Sequence, residues 1–115
     1  MIGLTLAALI AALHLWILML EMFRREHPRT RAIFGTDPEF ARRSRVLAAN
    51  QGLYNGFLAA GLIWGIWRGD QGAVLFFLSC VAVAGIFGSL TASRRILFVQ
   101  TVPAVLAAAL VLLGI

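Results

Sequence analysis

Between positions 50 and 56 the chain reads Asn50-Gln51-Gly52-Leu53-Tyr54-Asn55-Gly56, three carboxamides and a phenol inside an otherwise apolar run. Carboxamides can orient a ligand, and a phenol can also carry a proton. In hydrocarbon each of these groups needs an internal partner, because an unpaired polar group there costs several kcal/mol. Polar residues within a spanning segment therefore face a bundle interior or a cavity by default. Partners of suitable chemistry lie elsewhere in the chain: His14, Glu21, Ser89, Arg94, Arg95 and Gln100. The competing reading is that such residues only hydrogen-bond between helices, a contribution of about 0.6 kcal/mol on average. His14 is the hardest to assign to that role, since a mid-span imidazole has no water to fall back on.

The elements that must position these residues are set by composition. Of 115 residues 61% are hydrophobic and 13% charged, with a mean hydropathy of +0.90. A soluble domain carries roughly 45–50% apolar and about 25% charged residues. The charges are clustered, leaving long neutral runs, so the class expected is an all-α integral membrane protein. Four runs each reach about 20 residues, enough for a helix to cross roughly 30 Å of hydrocarbon. The helices are expected at about 2–23, 39–68, 73–92 and 95–115, forming one four-helix transmembrane domain over 1–115. Alternating ten-residue strands are absent, which excludes a β-barrel. No basic residue precedes the first run, so it does not read as a cleavable signal peptide.

All ten basic residues are arginine. Seven of them (24, 25, 29, 31, 42, 43 and 45) fall between the first two runs, and Arg94 and Arg95 fall between the last two. The turn at 68–72 holds only Arg68, balanced by Asp70. The positive-inside rule then puts the two arginine-rich connections in the cytoplasm and both termini on the opposite face of a bacterial inner membrane. No zinc, helix-turn-helix or aromatic-basic module accompanies the arginines, so nucleic acid is not an expected partner. The lone Cys80 has no partner for a disulfide and no ligand spacing for a metal. The connection 24–45 reads as a short polar loop with a turn at Gly35-Thr36-Asp37-Pro38, capped by Thr36 or Asp37, before a helix that runs unbroken into the second span.

Under this topology the polar residues share the cytoplasmic half of the bilayer. His14 lies seven residues before Glu21, about 10 Å deeper on nearly the same helical face. Asn50 and Tyr54 share one face of the second span, and Gln51 and Asn55 an adjacent one. Gln100 lies about one turn inside the fourth. Gly52/Gly56 and Gly61/Gly65 are small-xxx-small pairs, read as helix-packing seams.

The residues His14…Glu21-Met22-Phe23, then Asn50 to Ala59, then Gln100-Thr101-Val102-Pro103-Ala104, resemble a bacterial family known as domain of unknown function 1304. That resemblance covers nearly the whole chain and implies no established activity. The stretch Asp37 to Arg45, followed by Asn50 and Tyr54, is also similar to the MAPEG superfamily, the membrane-associated proteins of eicosanoid and glutathione metabolism. The similarity implies a MAPEG-like four-helix subunit assembled as a homotrimer, with glutathione or a lipid in the cytosolic half between subunits. Arg45, Asn50 and Tyr54 resemble the glutathione-contacting residues of its second helix, and Arg94 or Arg95 the arginine that stabilises a glutathione thiolate. Leu53 stands where that superfamily has an acidic residue, Gly56 where it has a proline, and its helix-three tyrosines are absent.

Two function classes follow, and whether the protein is an enzyme is left open. In the first, a small amphipathic or anionic ligand, glutathione- or lipid-like, enters a cytosolic-half pocket between subunits. Its ligand-binding residues would be Glu21, Arg45, Asn50, Gln51, Tyr54, Asn55, Arg94 and Gln100, with His14, Tyr54 and Arg95 as candidate catalytic groups and glutathione as the possible cofactor. In the second, a small proton-coupled multidrug-type exporter uses Glu21 as its intramembrane carboxylate. A structural membrane scaffold is a third possibility. Membrane lipids and further copies of the chain are the expected partners.

Overall fold

A computed structural model describes residues 1–115 and is built of helices throughout. In chain order these are α1 (Ile2–Phe23), α2 (Pro28–Phe34), α3 (Pro38–Arg43), α4 (Arg45–Arg68), α5 (Gln71–Thr91), a π-helical segment (Leu97–Thr101) and α6 (Val102–Leu112). The helices group into two compact units, Met1–Ala12 with Leu58–Ile115, and Leu13–Phe57.

In the first unit the core is a set of buried stripes at helical spacing: Ala7, Ile10 and Ala11 of α1, Ala59 and Leu62 of α4, Val74, Leu78 and Val81 of α5, and Ala104 and Ala107 of α6. Spacings of three and four residues put each set on one face of its helix. Alanine dominates the stripes of α1 and α6, so those helix backbones can approach their neighbours closely. The α4–α5 turn is closed by Gly69, at φ +65°, and by Asp70, whose carboxylate accepts from the Ala73 N–H at 3.1 Å. Gly61 and Gly65 face Phe77 and Val74 of α5, the seam their spacing predicts.

The last helix starts as a π-helix because Pro103 has no N–H to give to the carbonyl four residues back, and its ring crowds that carbonyl. The chain widens, and the Val102 N–H bonds five residues back to the Leu97 carbonyl. Thr101 is thereby turned toward α5, where its hydroxyl donates to the Ala82 carbonyl at 3.0 Å.

In the second unit the connection 24–45 holds α3, where a helix was expected from about Glu39, and also α2, where a loop was expected. Pro28 opens α2 after His27, whose Nδ1 accepts from the Arg29 N–H at 3.1 Å. Gly35 closes it in the left-handed region at φ 68°, with both its own N–H and that of Thr36 on the Arg31 carbonyl. Of the two capping candidates the structure uses Asp37, which accepts from the Phe40 N–H at 2.8 Å ahead of Pro38. The helix expected to run unbroken over 39–68 is interrupted at Ser44. The Ser44 hydroxyl donates to the Phe40 carbonyl at 2.6 Å and accepts from the Arg25 guanidinium at 2.8 Å, while the Ser44 N–H also bonds the Phe40 carbonyl at 2.9 Å.

Of the four expected spans, α1 (22 residues) and α5 (21 residues) are long and apolar enough to cross a membrane. α4 has the length, at 24 residues, but carries Arg45, Asn50, Gln51, Asn55 and Arg68. The fourth is shorter than expected, an apolar stretch over Leu97–Leu112.

Candidate functional site

The second unit gathers most of the expected site residues where α1 ends and α4 begins. Gly52 and Gly56 set the approach. A side chain at Gly52 would meet Met22 and Glu21 and lie 3.2 Å from the Leu18 carbonyl, and one at Gly56 would strike the Leu18 side chain. Against this seam Glu21 is 5% exposed and accepts from the Asn55 carboxamide at 2.9 Å. Arg25, one turn on from Glu21, donates to Ser44 and lies 5.9 Å from the ring centres of both Phe34 and Phe40. His14 is also buried, at 1% exposure. Glu21 and His14 are thus interior groups of one helix.

The Asn50/Tyr54 face points outward. Asn50 is exposed, its amide bonded back to the Val46 carbonyl at 2.9 Å. Tyr54 is 64% exposed, edge-on to Phe57 with ring centres 5.9 Å apart, and Gln51 is exposed as well. Arg45 reaches Glu26 at 3.3 Å across the surface. Two cavities open beside it. One, of about 340 Å³, is a trough lined by Met22, Arg45, Val46, Ala49, Asn50 and Leu53. The other, of about 500 Å³, is lined by Phe23 to His27 together with Met22 and Arg45. Met22 and Arg45 belong to both.

Arg94, Arg95 and Gln100 belong to the other unit. The two arginines are exposed in the turn after α5, and Gln100 is half-buried in the π-helical segment. No site role was expected of Arg25, Glu26 or Ser44. The one signal for Arg25 was its position four residues after Glu21, on the same face of the chain as it leaves α1. Nothing in the sequence pairs it with Ser44, 19 residues on.

These observations define a class: an all-helical chain, two of whose helices are long and apolar enough to cross a membrane, with a buried carboxylate–carboxamide pair beside an arginine-lined cleft. Residues 8–112 match the family described as "Protein of unknown function (DUF1304)", and the chain belongs to that family. It is 33% identical over 106 residues to the "Uncharacterized protein YpaA" of Lactococcus lactis subsp. lactis (strain IL1403), covering 89% of each chain. No solved structure matches it.

Proposed function

We propose that this protein is an integral membrane subunit of four transmembrane helices, MAPEG-like and homotrimeric, that binds a small amphipathic or anionic ligand, glutathione- or lipid-like, in the cytosolic half of a bacterial inner membrane. The observation that carries the reading is the trough at Arg45, where a guanidinium and the Asn50 carboxamide border an apolar floor of Met22, Ala49 and Leu53. One charged group fixing orientation beside apolar surface is the usual make-up of a small-ligand site. The exposed phenol of Tyr54, one turn along from Asn50, is available to the same ligand or to a neighbouring subunit.

The membrane assignment is supported by where apolar surface lies. Only 28% of the apolar stretch of α1 and 22% of that of α5 are buried, leaving Leu9, Met19, Phe76, Val83 and Phe87 outward. Apolar faces of that extent are not left open to water by soluble proteins. The arginine distribution adds the orientation, with both termini outside the cytoplasm. A reporter fused after Ile115 is expected to behave as periplasmic; cytoplasmic readout there and at Gly69–Gly72 would reverse the assignment.

Glu21 held by Asn55 is the observation that favours the exporter as second reading, since a buried carboxyl is what proton coupling uses, although this one lies two residues from the end of α1 rather than at mid-span. Native mass spectrometry of the purified protein separates the readings. We expect a trimer that retains a small molecule, and we expect Asn50→Leu and Tyr54→Phe to keep the trimer while losing most of that molecule. His14→Leu should do the same if the imidazole lines the pocket, and should unsettle helix packing if it only bridges helices. A wild type that carries no ligand, with variants that fall apart in detergent, would make the polar residues architectural.

A further inference from the structure

We propose that the ligand of the Arg45 cleft is an anionic phospholipid, with its phosphate between Arg24 and Arg45 and an acyl chain along Met22, Val46, Ala49 and Leu53. This rests on the ligand-binding reading above and names the ligand class. Arg45 and Met22 stand where a charged chamber of about 500 Å³ adjoins an apolar trough of about 340 Å³. A phospholipid divides the same way, into a charged head and an apolar tail. Glutathione is polar along its whole length and would leave the trough floor without apolar contact. Leu53 sits in that floor, 41% exposed, and Val46 is 68% exposed, so the trough is open along its side and suits a chain that continues into surrounding lipid.

Charge favours an anionic head. The segment 24–45 holds seven arginines against Glu26, Asp37 and Glu39, a net charge of +4. Arg42 is engaged with Glu39 at 3.5 Å, and Arg25 with Ser44 and two aromatic rings. Arg24 is exposed. Arg45 pairs only across the surface with Glu26, their side chains 64% and 42% exposed, and so exposed a pair is weak. A phosphate can therefore take Arg45 in bidentate fashion without breaking a buried contact. Ile33, Phe34 and Phe40 are exposed on the same segment, apolar and aromatic side chains suited to the headgroup layer in which basic segments meet anionic lipid.

The test uses the full chain in neutral detergent, with native mass spectrometry following the addition of dihexanoyl phosphatidylglycerol, dihexanoyl phosphatidylcholine, inorganic phosphate or reduced glutathione. The anionic lipid is expected to bind about ten-fold or more tightly than each of the others, and Arg45→Gln and Arg24→Gln each to weaken it by about ten-fold. Leu53→Asn should weaken the lipid as well, and Arg68→Gln, at the far end of α4, should leave binding unchanged. Equal binding of the two lipids, phosphate binding as well as the anionic lipid, or arginine variants that keep wild-type affinity while folded by circular dichroism would each overturn the proposal. Glutathione bound in preference to lipid would overturn it while leaving the ligand-binding reading intact. A folded wild type that takes none of the probes would remove both.

Discussion

Gly85→Val is expected to be among the most damaging single substitutions in the first unit, lowering stability by roughly 3 kcal/mol, the upper end of ordinary overpacking. A Cβ at this position of α5 would strike the Thr101 hydroxyl, lie 2.9 Å from the Thr101 backbone nitrogen and 3.0 Å from the Gln100 Cβ. Replacing a helical glycine by alanine normally improves helix propensity by about 1 kcal/mol, and by valine less, so the sign of the change rests on these contacts. Steric contact wins because one of the obstructing atoms is backbone, and the π-helical turn that carries it is fixed by Pro103. Gly85→Ala should already be destabilising. Adding Thr101→Ala should recover only part of the loss, since it removes the hydroxyl and leaves the backbone nitrogen in place. Unfolding followed by helical circular dichroism in detergent gives the comparison. Full recovery in the double variant would mean that the hydroxyl alone sets the distance between α5 and the last helix.

Asn55→Leu should have an effect of similar size in the second unit, about 2–3 kcal/mol, through the group it abandons. Glu21 is 5% exposed, and the Asn55 carboxamide donates to it at 2.9 Å. Taking the donor away leaves a buried carboxyl without that bond, which costs more than the bond contributed. Glu21→Leu combined with Asn55→Leu should therefore be more stable than Asn55→Leu alone, and Glu21→Gln should be nearly neutral because a carboxamide can still accept. A double-mutant cycle on unfolding free energies reads this coupling directly. A cycle with no coupling would make Glu21–Asn55 an incidental contact and would weaken the exporter reading, which needs this carboxyl held in place.

The sequence by itself determined the helical class and much of its punctuation. Apolar runs of about 20 residues have one low-energy backbone arrangement away from water, because only a helix satisfies every N–H and C=O within the segment. The first helix accordingly falls at Ile2–Phe23, as expected. Gly35, Asp37 and Pro38 act as read, since left-handed φ, side-chain capping and a missing N–H are properties of single residues. The two glycine pairs act as seams because small side chains at a spacing of four leave a groove on any helix. That His14 and Glu21 share a face followed from their spacing of seven residues on one helix.

What only the tertiary structure decided depended on partners distant in the chain. The second long helix breaks at Ser44, whose hydroxyl meets Arg25, a contact that local propensity does not encode. The short helix α2, although opened by Pro28 and closed by Gly35, was hidden in a segment too polar and too brief for apolar periodicity to register. Glu21 takes Asn55 in place of the nearby arginines because the glycine seam brings α4 against that face of α1, while two aromatic rings and a serine hold Arg25. The π-helical start of the last helix shows the same division. Pro103 announces a disturbed helix, but the close contact of Thr101 with Gly85 depends on which helix lies opposite. The amphipathic trough at Arg45 also escaped the sequence, since Met22 and Leu53, apolar residues with no chemistry of their own, become a site only when two helices place them beside a guanidinium.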